Sequence, residues 1–268
     1  MLNYGAHDVI GTKIHAVDYE YCVEQIVAAA RTKEPLTVAA LAVHGVMVGV
    51  DDPDFRFRLN EFDLVVPDGQ PVRWALNLLH GVHLKERVRG PSLFLHVCQR
   101  AESEGIAVFL YGSTEETLVK LQSNLRSMFP QLHIAGCRPS AFRRLTSSEQ
   151  ADVDDQIRSS GAGIVLVGLG CPRQEIWAWE NAPQLSLPTL AVGAAFDFHA
   201  GLLREAPDVL QRIGLEWLFR LVQEPRRLWR RYLLLNPRFI ARVSLQRAGR
   251  PIAVSQSGRA PFRDCRFG

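Results

Sequence analysis

No apolar run in this chain is long enough to cross a bilayer. The longest, residues 36–50, contains Thr37, His44 and Gly45, and a span needs roughly 20 apolar residues. Cysteine is sparse: Cys22, Cys98, Cys137, Cys171 and Cys265 are odd in number, scattered, and include no CxxC pair. That argues against a structural zinc site and a disulfide framework, and it fits a reducing compartment. No secretory leader is read at the start, where Asp8, Lys13, His15 and Asp18 interrupt any apolar stretch. There is no internal repeat and no nucleic-acid-binding motif. The dinucleotide fingerprint lacks its third glycine, because Gly168-Leu169-Gly170 is followed by Cys171-Pro172-Arg173. An NAD-dependent oxidoreductase is therefore disfavoured. Two acidic clusters, Asp51-Asp52-Pro53-Asp54 and Asp152-Val153-Asp154-Asp155, have the DxD look of a metal site. Neither follows an apolar strand. The first reads as a helix stop and the second as the solvated face of a polar helix, so neither a metal nor a cofactor is expected.

What the chain does have is an alternation of short apolar runs with amphipathic ones. Of its 268 residues, 47% are hydrophobic, enough for one large domain or a domain with an appendage. Residues 8–17 read as a hairpin or edge element. Strands are expected at 36–43, 64–66, 106–111, 132–135, 164–169 and 189–192. Helices are expected at 19–32, 71–79, 91–104, 115–128 and 147–160 and from Pro172 onward, with a short helical start at 46–50. Strand and helix in alternation imply a mostly parallel, Rossmann-like sheet with helices on both faces. From Pro207 the strands stop. Pro225 and Pro237 divide the remainder into helical pieces near 208–222, 226–235 and 238–248. The expected organisation is an α/β core at 1–206, a helical C-terminal appendage at 207–248 and a disordered tail at 249–268.

Charge is unevenly spread. The segment 212–250 holds ten arginines, no lysine and two acids, Glu216 and Glu224, a net of +8; the whole chain is only +3, so the rest is −5. Such a tail suits an anionic partner: membrane, phosphate or nucleic acid. Leu215, Leu218, Phe219 and Val222 form one apolar stripe, and Leu228, Trp229, Tyr232 and Leu233 another. Arg220, Arg227 and Arg231 would share a helix face, with Arg230 offset. This describes either an interfacial helix on an anionic bilayer or a hairpin packed on the core with its arginines in water.

The candidate chemistry lies where strands end. GIVLVGLGCPRQEIWAW (163–179) runs strand, glycine turn, helix start, and sets Gly168, Gly170 and Gln174 at the carboxyl edge where α/β proteins bind ligands. A plain capped turn fits equally well. Asp68, after the strand at 64–66 and beside Gly69, is a plausible general base or a turn cap. Arg87 or Arg89 could hold a diphosphate by paired N–H bonds, or lie in water. Gly112-Ser113-Thr114 opens a helix and could take an anion or simply cap it. His44 ends a strand at the same edge. Asp197, between Phe196 and Phe198, needs hydrogen bonds; a ribose, a base or a turn would supply them.

The stretches VPDGQPVRW (66–74), ERVRG (86–90), FLYGSTEE (109–116), GLGCPRQE (168–175), VGAAFDFHAG (192–201) and EAPDVLQRIGLEWLFRLVQEPRRLWRRY (205–232) together resemble the WecG/TagA/CpsF glycosyltransferases, glycosyltransferase family 26. The resemblance runs from about residue 8 to 245. It implies an inverting, metal-independent enzyme of bacterial surface or exopolysaccharide synthesis, peripheral on the inner face of the cytoplasmic membrane. The enzyme would move a sugar from a UDP donor to a lipid-diphosphate-linked acceptor. On this resemblance Asp68 matches the catalytic base, Arg87, Gln174 and Asp197 match positions around the nucleotide sugar, and Arg220, Arg227 and Arg230 match arginines reaching the diphosphate. Where the family often has Thr-x-Asn, this chain has Ala42-Val43-His44, so the sugar or its orientation can differ. The rival of another class is a non-catalytic nucleotide or nucleic-acid binder with a basic arm; the interleaved Leu, Trp and Phe of the tail count against it. The sugar, the acceptor and the oligomeric state, homo-oligomer or monomer, are left open.

Overall fold

The computed structural model describes residues 1–250 and Pro261, so most of the expected disordered tail, 249–268, lies outside the described residues. The chain opens on an antiparallel hairpin, β1 (Asn3–Val9) and β2 (Thr12–Val17), which forms its own two-stranded sheet. The main sheet comprises β3 (Leu36–Leu41), β4 (Leu64–Pro67), β5 (Val108–Gly112), β6 (Ile134–Arg138), β7 (Ile164–Gly168) and β8 (Pro188–Ala191). Its order is β4-β3-β8-β7-β5-β6, and every neighbouring pair is parallel.

Side chains alternate across this sheet with period two. Val38, Leu110, Leu166 and Leu190 face one layer, which includes α1 (Tyr19–Thr32), α5 (Gly90–Glu104), α6 (Glu115–Met128) and α9 (Ala195–His199). Ala39, Val165, Val167 and Ala191 face the other, which includes α2 (Val43–Asp51), α3 (Pro53–Asn60), α4 (Gln70–His80), α7 (Ser147–Ser159) and α8 (Arg173–Leu185). A strand covered on both faces must be apolar throughout, which is why these runs read as continuous. This is the expected Rossmann-like architecture.

Local chemistry starts most of the helices. Asp18 accepts the Tyr21 N–H at 2.8 Å and caps α1, Thr114 caps α6, and Thr146 with Glu149 forms a capping box on α7. The stop expected at Asp51-Asp52-Pro53-Asp54 is also a start: Asp52 accepts from Asp54 and Phe55, Pro53 takes the first position, and α3 follows. Asp154, expected on a solvated face, is buried instead. Its carboxylate accepts from Gln150 at 2.8 Å, and burial raises its pKa.

The tail departs most from expectation. It forms α10 (Asp208–Arg212), α11 (Glu216–Gln223), α12 (Pro225–Leu233) and α13 (Leu235–Arg247). Pro237 does not break a helix; it lies in the first turn of α13, where a missing N–H leaves no hydrogen bond unmade. The break comes at Gly214, whose φ is +78°, and a Cβ there would stand 2.5 Å from the Trp74 ring. Within 207–248 the helices also differ in packing. α13 returns to the core, burying Phe239 and Val243 among Met47, Val50 and Leu76. Arg238 pairs with Asp51 at 2.7 Å, and Gln246 accepts the Ile10 N–H at 2.9 Å. In contrast α11 buries no residue and α12 only Leu228.

Candidate active site

The carboxyl ends of β3, β4, β5, β7 and β8 open onto a cavity of about 1170 Å³ roofed by α12. A smaller recess of about 80 Å³ beside it reaches Arg87 and Trp217 and shares Asp68, His44 and Arg231 with the main cavity. The sheet places the reactive groups by strand. Asp68 follows β4, Ser113 follows β5, Gly168 ends β7 with Gly170 two residues on, and Gly193 follows β8 with Asp197 in the next helix, α9.

Asp68 is held from two sides. Its N–H donates to the Leu41 carbonyl at 3.1 Å, and its Oδ1 accepts the N–H of Gly90, the first residue of α5, at 2.8 Å. The approach is tight there: a Cβ on Gly90 would lie 3.2 Å from the Val192 carbonyl and 3.3 Å from the Ala40 methyl. Oδ2 has no partner among the described residues, and Asp68 lines the cavity. Burial raises its pKa; Arg87 opposes that shift, and Glu216 adds to it.

Arg87 is not free. Its guanidinium is paired with the carboxylate of Glu216 on α11, both side chains being largely buried. Glu216 also takes Arg89 at 3.3 Å, and Arg89 reaches Glu205 at 3.3 Å. Burial alone would push Glu216 up, but Arg87 and Arg89 outweigh it and hold the carboxyl below its ordinary value. The loop itself is fixed: the Arg89 N–H donates to Tyr19 Oη at 2.8 Å and the Val88 N–H to the Pro67 carbonyl at 3.0 Å. Arg87, expected near a nucleotide sugar, borders the smaller recess and is paired there with Glu216, which in the sequence is one of two acids in a basic tail.

Gln174 is buried and braces the glycine turns. Its Oε1 accepts the Gly170 N–H at 3.1 Å, its Nε2 donates to Glu175 at 2.9 Å, and a Cβ on Gly193 would lie 3.1 Å from it. Glu175, fully buried, finds no partner for Oε2 among the described residues, and burial pushes its pKa up to about 7. Gly112 serves packing. At φ +114° it passes so close to β7 that a Cβ would meet the Gly168 carbonyl carbon at 2.6 Å, and the Ser113 N–H is spent on the Gly168 oxygen at 3.0 Å. Gly112 is not among the residues lining the cavity, whereas Gly168 and Gly170 are.

His44 sits in the first turn of α2, half-buried, against the Cys171 backbone. Burial and the charge of Arg231 lower its pKa to about 4, so the ring is neutral at pH 7; Nδ1 has no partner among the described residues. Ala42 is the N-cap of α2 and supplies no side-chain bond. Asp197 is half-buried and raised in pKa by burial. Arg227 and Arg220 oppose that shift, and Ser113 gives it a hydrogen bond.

The tail arginines divide by environment. Arg227 pairs with Glu224 at 2.8 Å, and Arg220 lies over Phe198 with Glu224 at 3.9 Å. Arg230 is exposed and lies over the Trp229 ring. Arg231 lines both cavities, has no carboxylate partner among the described residues, and acts on His44, Glu175 and Cys171 through its charge. Helical spacing singled out Arg231 with Arg220 and Arg227; the resemblance pointed to Arg230, which also borders the cavity.

The acidic clusters are engaged elsewhere: Asp51 with Arg238, Asp52 as a cap, Asp154 with Gln150. Among the described residues no helix is long and apolar enough to cross a membrane. The family model described as Glycosyl transferase WecG/TagA/CpsF family matches residues 7–252 of the 268.

Proposed function

Because the chain belongs to that glycosyltransferase family, its substrates are a sugar donor and an acceptor, and we propose that it is an inverting transferase that uses a UDP-sugar and a lipid-diphosphate-linked acceptor without a metal. The oxidoreductase and nucleic-acid readings drop away with that membership. The observation that carries the finer reading is Asp68: a half-buried carboxylate at a strand end, one oxygen pinned by Gly90, the other toward the cavity, its basicity raised by burial.

In this mechanism Asp68 Oδ2 takes the proton of the acceptor hydroxyl as that oxygen attacks the anomeric carbon. The new C–O bond forms on the face opposite the bond to the β-phosphate, which breaks as UDP leaves. The charge gathering on the diphosphate is met by Arg220, Arg227 and Arg231 under a roof that limits water, where fixed cations act more strongly than in bulk solvent. On this reading Asp197 bonds the ribose, and Gln174, which braces the glycine turns, steadies the floor beneath the diphosphate. His44, neutral and opposite Arg231, is placed to contact the transferred sugar.

The appendage supports a membrane role. Leu218 and Val222 on α11, and Trp229 and Leu233 on α12, are exposed at i, i+4 spacing beside Arg226 and Arg230. Such a face suits an anionic bilayer, which would place the enzyme on the inner leaflet beside its lipid-linked acceptor. The direct experiment incubates the full chain with a synthetic lipid-diphosphate acceptor and a panel of UDP-sugars in excess chelator, and weighs the product. A single sugar added with inverted linkage is expected. Transfer that requires added Mg²⁺ or Mn²⁺, or retains configuration, would sink the mechanism.

A further inference from the structure

In the proposed site the sugar, the ribose and the diphosphate each meet named groups, and the base meets none. The strand order says where the base must lie. Neighbouring strands stand about 4.8 Å apart, so β4 to β5, four spacings in the order β4-β3-β8-β7-β5, covers about 19 Å of cavity floor. Asp68 follows β4, the glycine turns of β8 and β7 occupy the middle, and Ser113 follows β5. A nucleotide sugar with its anomeric carbon at Asp68 and its diphosphate over the middle turns carries its base toward β5 and β6.

What stands there is Phe142, on the connection from β6 to α7. Its ring lines the cavity, yet the residue is 56% exposed. Its φ is +54°, in the left-handed region that a bulky residue rarely adopts. The loop enforces this: the Phe142 N–H donates to Ser140 Oγ at 3.0 Å, and the Ser140 N–H donates to the Ser113 carbonyl at 2.9 Å, tying the loop to the end of β5. Arg173, from the first turn of α8, sets its guanidinium 5.8 Å from the ring centroid. Phe142 belongs to none of the core clusters found among the described residues. A strained backbone that holds an aromatic ring out of the core and against a cavity wall is the pattern of a binding position.

We propose that Phe142 is the stacking platform for the donor's nucleobase, with Arg173 steadying the ring. The proposal rests on the nucleotide-sugar reading of the cavity. Stacking on an aromatic ring tolerates any base, so Phe142 supplies affinity and leaves the choice of base to other groups.

The test is calorimetric titration of the full chain with UDP and, separately, with inorganic pyrophosphate. Phe142→Ala is expected to weaken UDP about 5- to 150-fold, the range of one stacked base, and to leave pyrophosphate unaffected. Phe142→Tyr should restore UDP affinity. In turnover the donor KM rises while kcat at saturating donor holds. Unchanged UDP affinity in Phe142→Ala overturns the proposal. So does a loss shared by pyrophosphate or not restored by tyrosine, because the ring would then act through the fold. If the unmodified chain does not bind UDP, the nucleotide-donor reading itself has failed, which is a different result from loss in the variant alone.

Discussion

The floor of the cavity and its roof are built on opposite principles. The floor is set by strand ends and backbone contacts: Gly90 against Val192, Gly112 against Gly168, Gln174 against two glycine turns. The roof, α10 to α12, is held by charge more than by apolar burial. α11 buries no residue, and its attachment is Glu216 in the grip of Arg87 and Arg89. A floor of this kind fixes where a bond is made. A roof of this kind can carry cations to the site and still turn an apolar face outward, with Val222 74% exposed. α13 sides with the floor, since it packs Phe239 and Val243 into the core. Cutting the chain at the start of the tail would therefore strip core surface as well as the roof, and side-chain substitutions separate the two regions more cleanly.

The floor's largest expected effect comes from Asp68→Asn. It keeps the shape and the Gly90 contact but removes the proton acceptor, so turnover should fall about 10²- to 10⁴-fold. UDP affinity by titration should hold; near-normal turnover would show that the floor does not supply the base. The sign of the wild-type pH profile follows from the same residue. With its pKa raised by burial, activity should be lost on the acid side as pH falls through that raised value.

The roof's counterpart is Glu216→Gln. It leaves Arg87 and Arg89 without the carboxylate that pairs both, and breaking a buried pair costs about 3–5 kcal/mol. Hydrogen exchange should show α10 to α12 opening while the β-strands keep their protection. Unaltered protection of α11 would mean that apolar contacts, not charge, hold the roof.

A smaller effect should separate two adjacent arginines. Arg231→Gln removes a cation that lines both cavities and has no carboxylate partner among the described residues, and should lower turnover about 10- to 100-fold, as losing one stabilising contact to the leaving group does. Arg230→Gln, on the exposed side, should cost only a few-fold, with weaker pelleting on anionic vesicles. Equal losses in turnover would erase the distinction between Arg231 and its more exposed neighbour.

The last effect concerns stability of the floor. Glu175 has a folded pKa of about 7 against an ordinary 4.5. The folded state thus binds more protons than the unfolded one between those values, and stability should fall as pH rises through that window, by up to about 3 kcal/mol. Glu175→Gln should flatten the slope measured by denaturant unfolding from pH 5 to 7.5. A slope that persists in the variant would place the titrating group elsewhere.

Much of this was legible in the residues. Continuous apolar strands alternating with amphipathic helices determine a doubly covered parallel sheet, because strands buried on both faces tolerate no polar alternation. Asp68, His44, Gln174 and Asp197 could be picked out because each follows a strand, and strand ends share one edge. The second helix after Asp52 and the burial of Asp154 escaped, since a short cap-and-proline signal and an acidic helix look the same whether packed or solvated. What only the tertiary structure decided is pairing across distance. That Glu216 occupies Arg87, that α13 belongs to the core, that Arg231 points inward, and that Phe142 is held at the cavity wall all depend on contacts between segments far apart in the chain or on a backbone angle. Local pattern fixes which face of an element is apolar; it carries no information about which charge from elsewhere will meet it, because that is set by how the layers close.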